Sequence, residues 1–300
     1  MVQSNRALFR LEVVNREIQT RVTFRTRSSE EAREILSPLH VEADVSTYIQ
    51  SVTFLLKDER YDCLITALSR QGLSHNEYRN WVFEDRELAE AKLLHMIQSG
   101  YWGYPQPEND YKSESYDMSE ACPICGKPAK QIKPYLVKGP PKFGRNDILA
   151  LNWTYEFIVT DRLRTLIEDA ELEGAEFWPL LNFKARTPLS GYMQLRVVHD
   201  LPPMSKSTLF KIVSLRGVKT PCSCGRLGLM LERVGEHGPV SLPRFDRGVL
   251  NHAKDFNLTH EWLSEGFDAN QWKIVSPRVY RLFKAHNIKG VRFEPVVIEG

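Results

Sequence analysis

Two 24-residue stretches of this sequence align without a gap: Ile158-Val-Thr-Asp-Arg-Leu-Arg-Thr-Leu-Ile-Glu-Asp-Ala-Glu-Leu-Glu-Gly-Ala-Glu-Phe-Trp-Pro-Leu-Leu181 and Ile274-Val-Ser-Pro-Arg-Val-Tyr-Arg-Leu-Phe-Lys-Ala-His-Asn-Ile-Lys-Gly-Val-Arg-Phe-Glu-Pro-Val-Val297. Seven of the 24 positions are identical, where an arbitrary alignment of ordinary composition gives roughly one or two. The identical pairs are Ile158/Ile274, Val159/Val275, Arg162/Arg278, Leu166/Leu282, Gly174/Gly290, Phe177/Phe293 and Pro179/Pro295. The sequence therefore predicts an internal repeat.

Each copy of the repeat predicts the same local structure. Thr160 and Ser276 suit the helix N-cap, because their hydroxyls can accept a bond from a free helical N–H. Apolar residues then recur at helical spacing, and Gly174 and Gly290 stand where each helix should stop with a positive φ. Alternating residues beyond each glycine predict a strand. We expect two αβ units, at 158–181 and 274–297, that pair about a pseudo-two-fold axis and share one sheet.

The residues before the repeats predict an N-terminal α/β domain. The chain has 300 residues, of which 42% are hydrophobic and 26% charged, and these ordinary values exclude a disordered or fibrous protein. Strands are expected at 9–14, 21–25 and 51–56, and helices after Ser28, at 58–68 and at 87–97. A run rich in Pro, Gly and aromatic residues at 100–120 marks a boundary. We predict an α/β (α+β) fold with domains at 1–105 and 106–300.

Four of the five cysteines form two close pairs, and each pair precedes a glycine. Cys122-Pro-Ile-Cys125-Gly and Cys222-Ser-Cys224-Gly read as two knuckles that supply four thiolates to one tetrahedral Zn²⁺. We expect the four sulfur atoms to converge within about 4 Å of one another. A site of four cysteines has no open coordination position, which indicates a structural rather than a catalytic ion.

Two other interpretations of the cysteines stay open. One or both pairs could be reduced thiols or a disulfide. The Cys-x-Cys pair has one residue fewer between its two ligands than the usual Cys-x-x-Cys pair, and the knuckles lie about a hundred residues apart in the sequence. A redox role for Cys122 and Cys125 would need a thioredoxin-like βαβ setting, which the flanking residues do not offer. Cys63, beside Leu64 and Ile65, is expected to be a buried core thiol.

Several other residues each allow a functional and a structural interpretation. Arg162 and Arg278 open their helices, where a cation opposes the helix dipole, so each needs a buried carboxylate or an anionic ligand. Tyr101, Trp102 and Tyr104 could form a contact patch or cover a neighbouring core. The basic stretch 127–145 could contact phosphates or form an exposed hairpin and loop.

No catalytic residue is assigned. The sequence contains no P-loop, dinucleotide-binding, metalloprotease or nucleophile-elbow motif. His199, Asp200 and His252 are the candidates, but a loop histidine near an aspartate without a recognisable nucleophile is more typical of a solvated residue. We therefore expect a protein that is not an enzyme.

Charge and hydropathy favour neither nucleic acid nor membrane. Forty basic and 38 acidic residues give a net charge of +2, and no window reaches 18 apolar residues. The first ten residues contain Arg6 and Arg10 where a signal peptide needs an apolar stretch, so the sequence favours a cytoplasmic protein.

Residues 80–300 resemble a known family. The motifs are Phe83-x-x-x-Glu87-Leu-x-x-Ala-x-x-Leu94, Cys122-Pro-x-Cys-Gly126, Asp147-Ile, Ile158-Val-x-x-Arg-Leu and Leu172-x-Gly-x-x-Phe-x-Pro179. Together they resemble uncharacterised bacterial proteins with two Cys-x-x-Cys-Gly knuckles, which are similar to immunity-type proteins of polymorphic toxin systems, including the myxobacterial double-CXXCG proteins. The second knuckle departs from that pattern, because it is Cys-x-Cys. The resemblance implies a cytoplasmic, zinc-binding, non-enzymatic protein.

These observations predict a zinc-binding protein whose partner is another protein, with neutralisation of a toxin as a possible task. The alternative is a zinc-ribbon protein that binds nucleic acid through 127–145, and a third interpretation is an enzyme with an unrecognised site. Nucleic-acid binding predicts one basic face, an enzyme predicts a deep polar pocket, and a protein binder predicts a broad apolar or acidic face near 101–104 or the repeat sheet. The sequence does not specify an oligomeric state.

Overall fold

A computed structural model describes residues 18–41, 44–45, 49–55, 57–213, 222, 224–226, 228–234, 238–264 and 268–300. It confirms a mixed α/β fold with several sheets. The chain forms two compact units: Met1–Glu84 with Arg233–Ser241, the N-terminal unit, and Asp85–Glu232 with Leu242–Gly300, the C-terminal unit. The strand expected at 9–14 lies outside the described residues.

The described residues of the N-terminal unit form a four-stranded antiparallel sheet with two α-helices. Its elements are β1 (Ile18–Arg25), α1 (Ser29–Leu36), a 3₁₀ helix (Ser37–Leu39), β2 (Asp44–Val45), β3 (Ile49–Leu55), α2 (Glu59–Arg70) and β4 (His75–Trp81), and the strand order is β2-β3-β1-β4. Ser28 caps α1, because its Oγ accepts a bond from the N–H of Glu31 at 3.1 Å. These elements confirm the predictions for 21–25, 51–56 and 58–68. Cys63, expected in the core, is exposed.

In the C-terminal unit, the residues that the structure describes form two larger sheets and three strand pairs. Its helices are α3 (Asp85–Glu90), α4 (Tyr111–Ser115), α5 (Asp161–Asp169) and α6 (Pro277–Ala285), with a 3₁₀ helix at Arg247–Asn251. Its strands are β5 (Leu94–Gln98), β6 (Tyr101–Trp102), β7 (Tyr116–Asp117), β8 (Lys130–Gln131), β9 (Leu136–Val137), β10 (Ile148–Leu151), β11 (Phe157–Thr160), β12 (Ala175–Asn182), β13 (Pro188–Val197), β14 (Phe210–Ile212), β15 (Leu229–Leu231), β16 (Arg244–Asp246), β17 (Phe256–Ser264), β18 (Ala269–Val275), β19 (Val291–Pro295) and β20 (Val297–Glu299).

The helix predicted at 87–97 is wrong beyond its first half. The helix α3 ends at Glu90, and Leu94–Gln98 is a strand inside a four-stranded sheet. Leu94 and Met96 point to one buried face and His95 to the other, so this short strand is buried on both sides. An apolar run of that kind cannot be distinguished from a buried helix by periodicity. The two compact units divide at Glu84 and Asp85 rather than near residue 105, because β5 and β6 pair with strands of the C-terminal unit.

The two aligned stretches have the same secondary structure. Each contains a strand, a helix and a strand: β11, α5 and β12 in one, and β18, α6 and β19 in the other. The Oγ1 of Thr160 accepts a bond from the N–H of Leu163, and the Oγ of Ser276 accepts one from the N–H of Arg278. Both hydroxyls are thus N-caps, as predicted.

The expectation that the two stretches share one sheet is wrong, because they lie in two different sheets. Four successive strands of the first sheet correspond in order to the four strands of the second. The first sheet runs β6-β10-β11-β13-β12-β9 and the second runs β17-β18-β5-β19. In register, Gln194 of β13 lies opposite Ile158 and Trp178, and His95 of β5 lies opposite Ile274 and Glu294. Since the aligned stretches already equate Ile158 with Ile274 and Trp178 with Glu294, β13 and β5 occupy the same place in the two sheets.

This match reveals an exchange of strands between two successive segments, 94–182 and 188–299. The order along the first segment is β5, β10, β11, α5, β12, and along the second it is β13, β17, β18, α6, β19. Each segment therefore gives its first strand to the sheet of the other. The exchange is a non-local pairing that local sequence patterns cannot predict.

Matching backbone hydrogen bonds extend the correspondence beyond the aligned stretches. The N–H of Gln106 donates to the carbonyl of Leu136 at 2.8 Å, and the N–H of Ser205 donates to that of Arg244 at 2.8 Å. Three further pairs match: Ala150 to Gly100 with Leu258 to His199, Leu181 to Tyr135 with Val297 to Pro243, and Ser99 to Gly290 with Val198 to Gly174. The last pair joins one segment to the other in both directions.

Arg162 and Arg278 form equivalent structural contacts between the two segments. Arg162 donates to Asp147 at 2.7 Å and to the carbonyl of His286, where α6 ends, at 2.8 Å. Arg278 donates to Asp255 at 2.9 Å and to the carbonyl of Ala170, where α5 ends, at 2.9 Å. The salt-bridge interpretation is confirmed, and each guanidinium also satisfies a free carbonyl of the facing helix.

One apolar core is common to both sheets. Its buried members come from β5, β10, β11, β13, β17, β18, α5 and α6: Leu94, Met96, Ile148, Ala150, Phe157, Val159, Leu163, Ile167, Leu195, Val197, Phe256, Val275, Val279, Tyr280 and Phe283. Neither segment could bury these side chains without its own strand in the other sheet. The two segments thus form a single folding core.

Gly174 and Gly290 are required by close backbone contact as well as by helix termination. Their φ angles are +92° and +115°. A Cβ on Gly174 would lie 2.1 Å from the carbonyl oxygen of Phe256, and one on Gly290 would lie 1.8 Å from that of Ile148. The lack of a side chain at each glycine therefore allows a strand of the other segment to approach its backbone: β17 approaches Gly174, and β10 approaches Gly290.

We predict that Gly290→Ala lowers the free energy of unfolding by at least about 2 kcal/mol, because the new Cβ meets backbone and the φ angle is unfavourable. Gly139→Ala is the control, since a Cβ there meets nothing within 4 Å. Urea denaturation measures both variants. Equal stability of Gly290→Ala and the unmodified protein would contradict the close approach.

The equivalent positions His95 and Gln194 are both buried but differ in chemistry. Gln194 exchanges two side-chain amide bonds with Gln131, at 2.6 and 3.0 Å. The His95 ring stacks on Trp272 with centroids 4.1 Å apart. Burial, with the nearby cations Arg292 and Lys273, holds the pKa of His95 well below its ordinary value.

Because the unfolded chain binds a proton at His95 more readily than the folded chain does, this residue should stabilise the fold fully above about pH 6.5 and less as pH falls. We predict that His95→Gln flattens the decline in unfolding free energy between about pH 7.5 and pH 5, by up to about 1.4 kcal/mol per pH unit. Urea denaturation across that range measures the difference. An unchanged decline would show that His95 is not the group responsible.

Candidate metal centre

The structure brings Cys122, Cys125, Cys222 and Cys224 together. Their four Sγ atoms all lie within 4.8 Å of one another, a slightly wider limit than the expected 4 Å. The Sγ of Cys224 lies 3.4 Å from that of Cys125 and 2.9 Å from that of Cys222. Around a zinc ion with Zn–S bonds of about 2.3 Å, tetrahedral sulfurs are about 3.8 Å apart. The four cysteines are therefore close enough to bind one metal ion.

Each cysteine pair lies in the connection of an antiparallel strand pair. Cys122 and Cys125 lie between β7 and β8, and Cys222 and Cys224 lie between β14 and β15. Cys122 follows Met96 of β5 by 26 residues and Cys222 follows Leu195 of β13 by 27. Each of the two segments thus supplies one knuckle from the same place in its order of strands.

The first knuckle is fixed by its own backbone. The N–H of Gly126 donates to the carbonyl of Cys122 at 2.7 Å, and the N–H of Cys122 donates to the carbonyl of Lys127 at 3.1 Å. Gly126 has a φ of +66°, which explains why a glycine follows the second cysteine. The N–H groups of Cys125 and Ile124 hydrogen-bond the Cys122 sulfur and lower the pKa of this thiol.

The second knuckle repeats part of this arrangement with one residue fewer. The N–H of Gly225 donates to the carbonyl of Cys222 at 2.8 Å, and Gly225 has a φ of +73°. Both knuckles therefore turn sharply at the glycine and direct two sulfurs to the same point.

The cluster lies partly inside the protein. Cys125 and Cys222 are buried and pack with Ala269 and Trp262, whereas Cys122 and Cys224 are half-buried. Burial, together with the neighbouring thiols, raises the pKa of Cys125 well above its ordinary value. Without a cation, four adjacent thiolates would repel one another, so a bound divalent ion suits the donor set.

The other candidate residues serve structural contacts. A ring nitrogen of His199 bonds the carbonyl of His252 at 2.7 Å, and Asp200 accepts a bond from the amide of Gln271 at 2.9 Å. An open surface groove of about 470 Å³ is formed by Arg27, Ser28, Glu30, Glu31, Glu34 and Gln71. That groove lies in the N-terminal unit, apart in sequence from every histidine candidate.

The basic stretch 127–145 does not present all its cations to solvent. Lys127 is buried, and its Nζ lies 3.3 Å from the Oδ2 of Asp268. Lys138 is exposed but lies 2.5 Å from a carboxylate oxygen of Glu108. The charges in this stretch are thus partly offset by acidic residues.

Exposed aromatic side chains lie in and just beyond β6, the edge strand of the first sheet, and just beyond β10, the strand that pairs with it. Tyr101 and Tyr104 are 48% and 41% exposed, and Trp153, which the sequence analysis missed, is 44% exposed. The rings of Tyr104 and Trp153 lie 4.6 Å apart. Trp102, in contrast, packs against a buried cluster that includes Leu149 and Leu151. We call Tyr101, Tyr104 and Trp153 the aromatic surface.

Comparison with known proteins adds no relative: no protein-family model matches this chain, and no curated protein matches it. Within the residues that the structure describes, no helix has both the length and the apolar character needed to cross a membrane.

We predict that the purified, reduced and metal-free protein binds one equivalent of Co²⁺ with the absorption of tetrahedral thiolate coordination. Cys125→Ser should lose this spectrum or weaken binding strongly, because one of four sulfurs is removed. Cys63→Ser is the matched control, since Cys63 lies in the N-terminal unit and outside the cluster. Identical spectra and affinities for the two variants would contradict a four-cysteine site.

Proposed function

We propose that this protein is a non-enzymatic scaffold that holds one structural Zn²⁺ and binds another protein. The convergence of four Sγ atoms within 4.8 Å is the observation that carries the proposal. Four thiolates favour zinc over magnesium or calcium, and they leave no coordination position open for a substrate. The ion would therefore join the two knuckles rather than take part in a reaction.

We also infer that the segments 94–182 and 188–299 are copies of one ancestral segment. The aligned residues, the matching sheet order and the paired hydrogen bonds support this inference. On this view each copy contributes one knuckle, and the zinc lies where the two copies meet. A scaffold tied in this way would present a rigid surface, which lowers the entropy cost of binding.

The aromatic surface is the face that we assign to a protein partner. Tyrosine and tryptophan are enriched among the residues that dominate protein–protein binding. Trp153 has a φ of +69°, an uncommon value for a bulky residue, in the turn between β10 and β11. The equivalent of Tyr101 in the second segment is Asp200, so the aromatic character at this position belongs to one copy.

Neutralisation of a toxin in the cytoplasm is the task that fits the resemblance to immunity-type proteins. Such a protein acts by covering a surface of its target and needs no catalytic group of its own. A reducing compartment would keep the four cysteines as thiolates for zinc.

Nucleic-acid binding is the weaker candidate. It would need an uninterrupted basic face, whereas Lys127 is buried beside Asp268 and Lys138 pairs with Glu108. The net charge of +2 adds no general attraction to phosphate.

We predict that the unmodified protein, used as bait in its native host, captures a protein partner. The variants Trp153→Ala and Tyr101→Asp should each recover at least about tenfold less of that partner. Asp200 shows that the equivalent backbone accepts aspartate. Tyr78→Ala, which changes an aromatic residue that is 53% exposed in the N-terminal unit, should capture normally. Quantitative mass spectrometry measures the recovery.

Two results would contradict the proposal. Equal recovery with Trp153→Ala would exclude the aromatic surface as the binding face. Recovery of nucleic acid that is lost steeply as salt rises would favour the alternative.

A further inference from the structure

The proposed zinc site has a charge to offset. Four thiolates and a divalent ion together carry two negative charges, and Cys125 and Cys222 hold part of that charge in the interior, with 9% and 3% of each residue exposed. Burying net charge is unfavourable unless an opposite charge or hydrogen-bond donors lie nearby. The residues around the cluster should therefore include cations.

Lys127 is a buried cation built into the first knuckle. Its carbonyl accepts the N–H of Cys122 at 3.1 Å, so its backbone is part of the turn that holds the sulfurs. Its Nζ lies 3.3 Å from Asp268 and 5.1 Å from the centre of the Trp262 ring. Trp262 itself packs against the cysteine cluster, so the ammonium group lies over a ring that contacts the cluster.

A second cation lies beside the same turn, and a third holds the matching place in the sequence of the second knuckle. The Nζ of Lys112 lies 3.6 Å from the point that a Cβ on Gly126 would occupy, so it lies beside the same turn. Arg226 follows Cys224-Gly225 in the second knuckle, as Lys127 follows Cys125-Gly126 in the first. Of the nearby carboxylates, Asp268 lies 3.3 Å from the Lys127 Nζ and offsets part of its charge, while Glu156 lies 3.5 Å from Lys273.

We propose that Lys127, assisted by Lys112, is a positioning residue of the metal centre that offsets the negative charge of the four metal-bound thiolates. This inference rests on the proposed zinc site and extends it to residues that do not touch the ion. Groups around metal ligands commonly change metal affinity by 10–100-fold when they are replaced.

The test compares Lys127→Met with Lys138→Met, which removes the same charge from an exposed side chain paired with Glu108. Competition with a chelator measures Zn²⁺ affinity, and the Co²⁺ spectrum reports the number of sulfur ligands. We expect Lys127→Met to bind Zn²⁺ about 10–100-fold more weakly with an unchanged Co²⁺ spectrum. Lys138→Met should match the unmodified protein, and Lys127→Arg should recover most of the affinity.

Denaturation of the metal-free and metal-bound forms separates this role from simple packing. The charge that Lys127 offsets exists only when the thiols are ionised, so Lys127→Met should lose more stability in the metal-bound form than in the metal-free form, where only its contacts with Asp268 and Trp262 are lost. An equal loss in both forms would overturn the inference, as would unchanged Zn²⁺ affinity. If Lys127→Met does not fold, Lys112→Met provides the same comparison, and unchanged Zn²⁺ affinity in that variant would likewise overturn it.

A failure of the inference is distinguishable from a failure of the proposed function. If the unmodified protein binds no Zn²⁺, both are wrong. If it binds Zn²⁺ as tightly as Lys127→Met does, only the role of Lys127 is wrong.

Discussion

The meeting of two distant knuckles at one point is the constraint on which the account of this protein depends. Cys122 and Cys222 are a hundred residues apart in the chain, yet their Sγ atoms and those of Cys125 and Cys224 lie within 4.8 Å. A metal ion at this point would join two strand pairs, β7-β8 and β14-β15, that share no ladder within the described part of the chain. Such a bond between distant segments restricts the unfolded chain and couples metal binding to folding.

The exchange of first strands makes the two halves of the C-terminal unit dependent on each other in a second way. Because β5 and β13 each complete the sheet of the other segment, neither sheet is complete from its own segment alone. Arg162 and Arg278 add a reciprocal pair of contacts between the segments, and Gly174 and Gly290 allow the strands to approach closely. The knuckles would thus secure an arrangement that the shared apolar core already favours.

Local features of this fold could be predicted from sequence, whereas pairings between distant segments could not. The sequence predicts the N-caps Thr160 and Ser276 and the helix-ending glycines, because the role of each depends only on neighbouring residues. The convergence of the four cysteines could also be predicted, because few arrangements other than a metal site use two such pairs. The sequence pattern predicts a helix at 94–98 instead of the observed strand, because the burial of this strand on both faces arises from partners more than a hundred residues away. Trp153 was missed because its exposure depends on a turn with positive φ.

The most direct test of the central claim is a crystal structure of the zinc-loaded protein with diffraction data at the zinc absorption edge. The account predicts one anomalous peak at about 2.3 Å from each of the four cysteine sulfurs, in tetrahedral arrangement. A disulfide between any two of these cysteines, or a peak bound by only one knuckle, would contradict it.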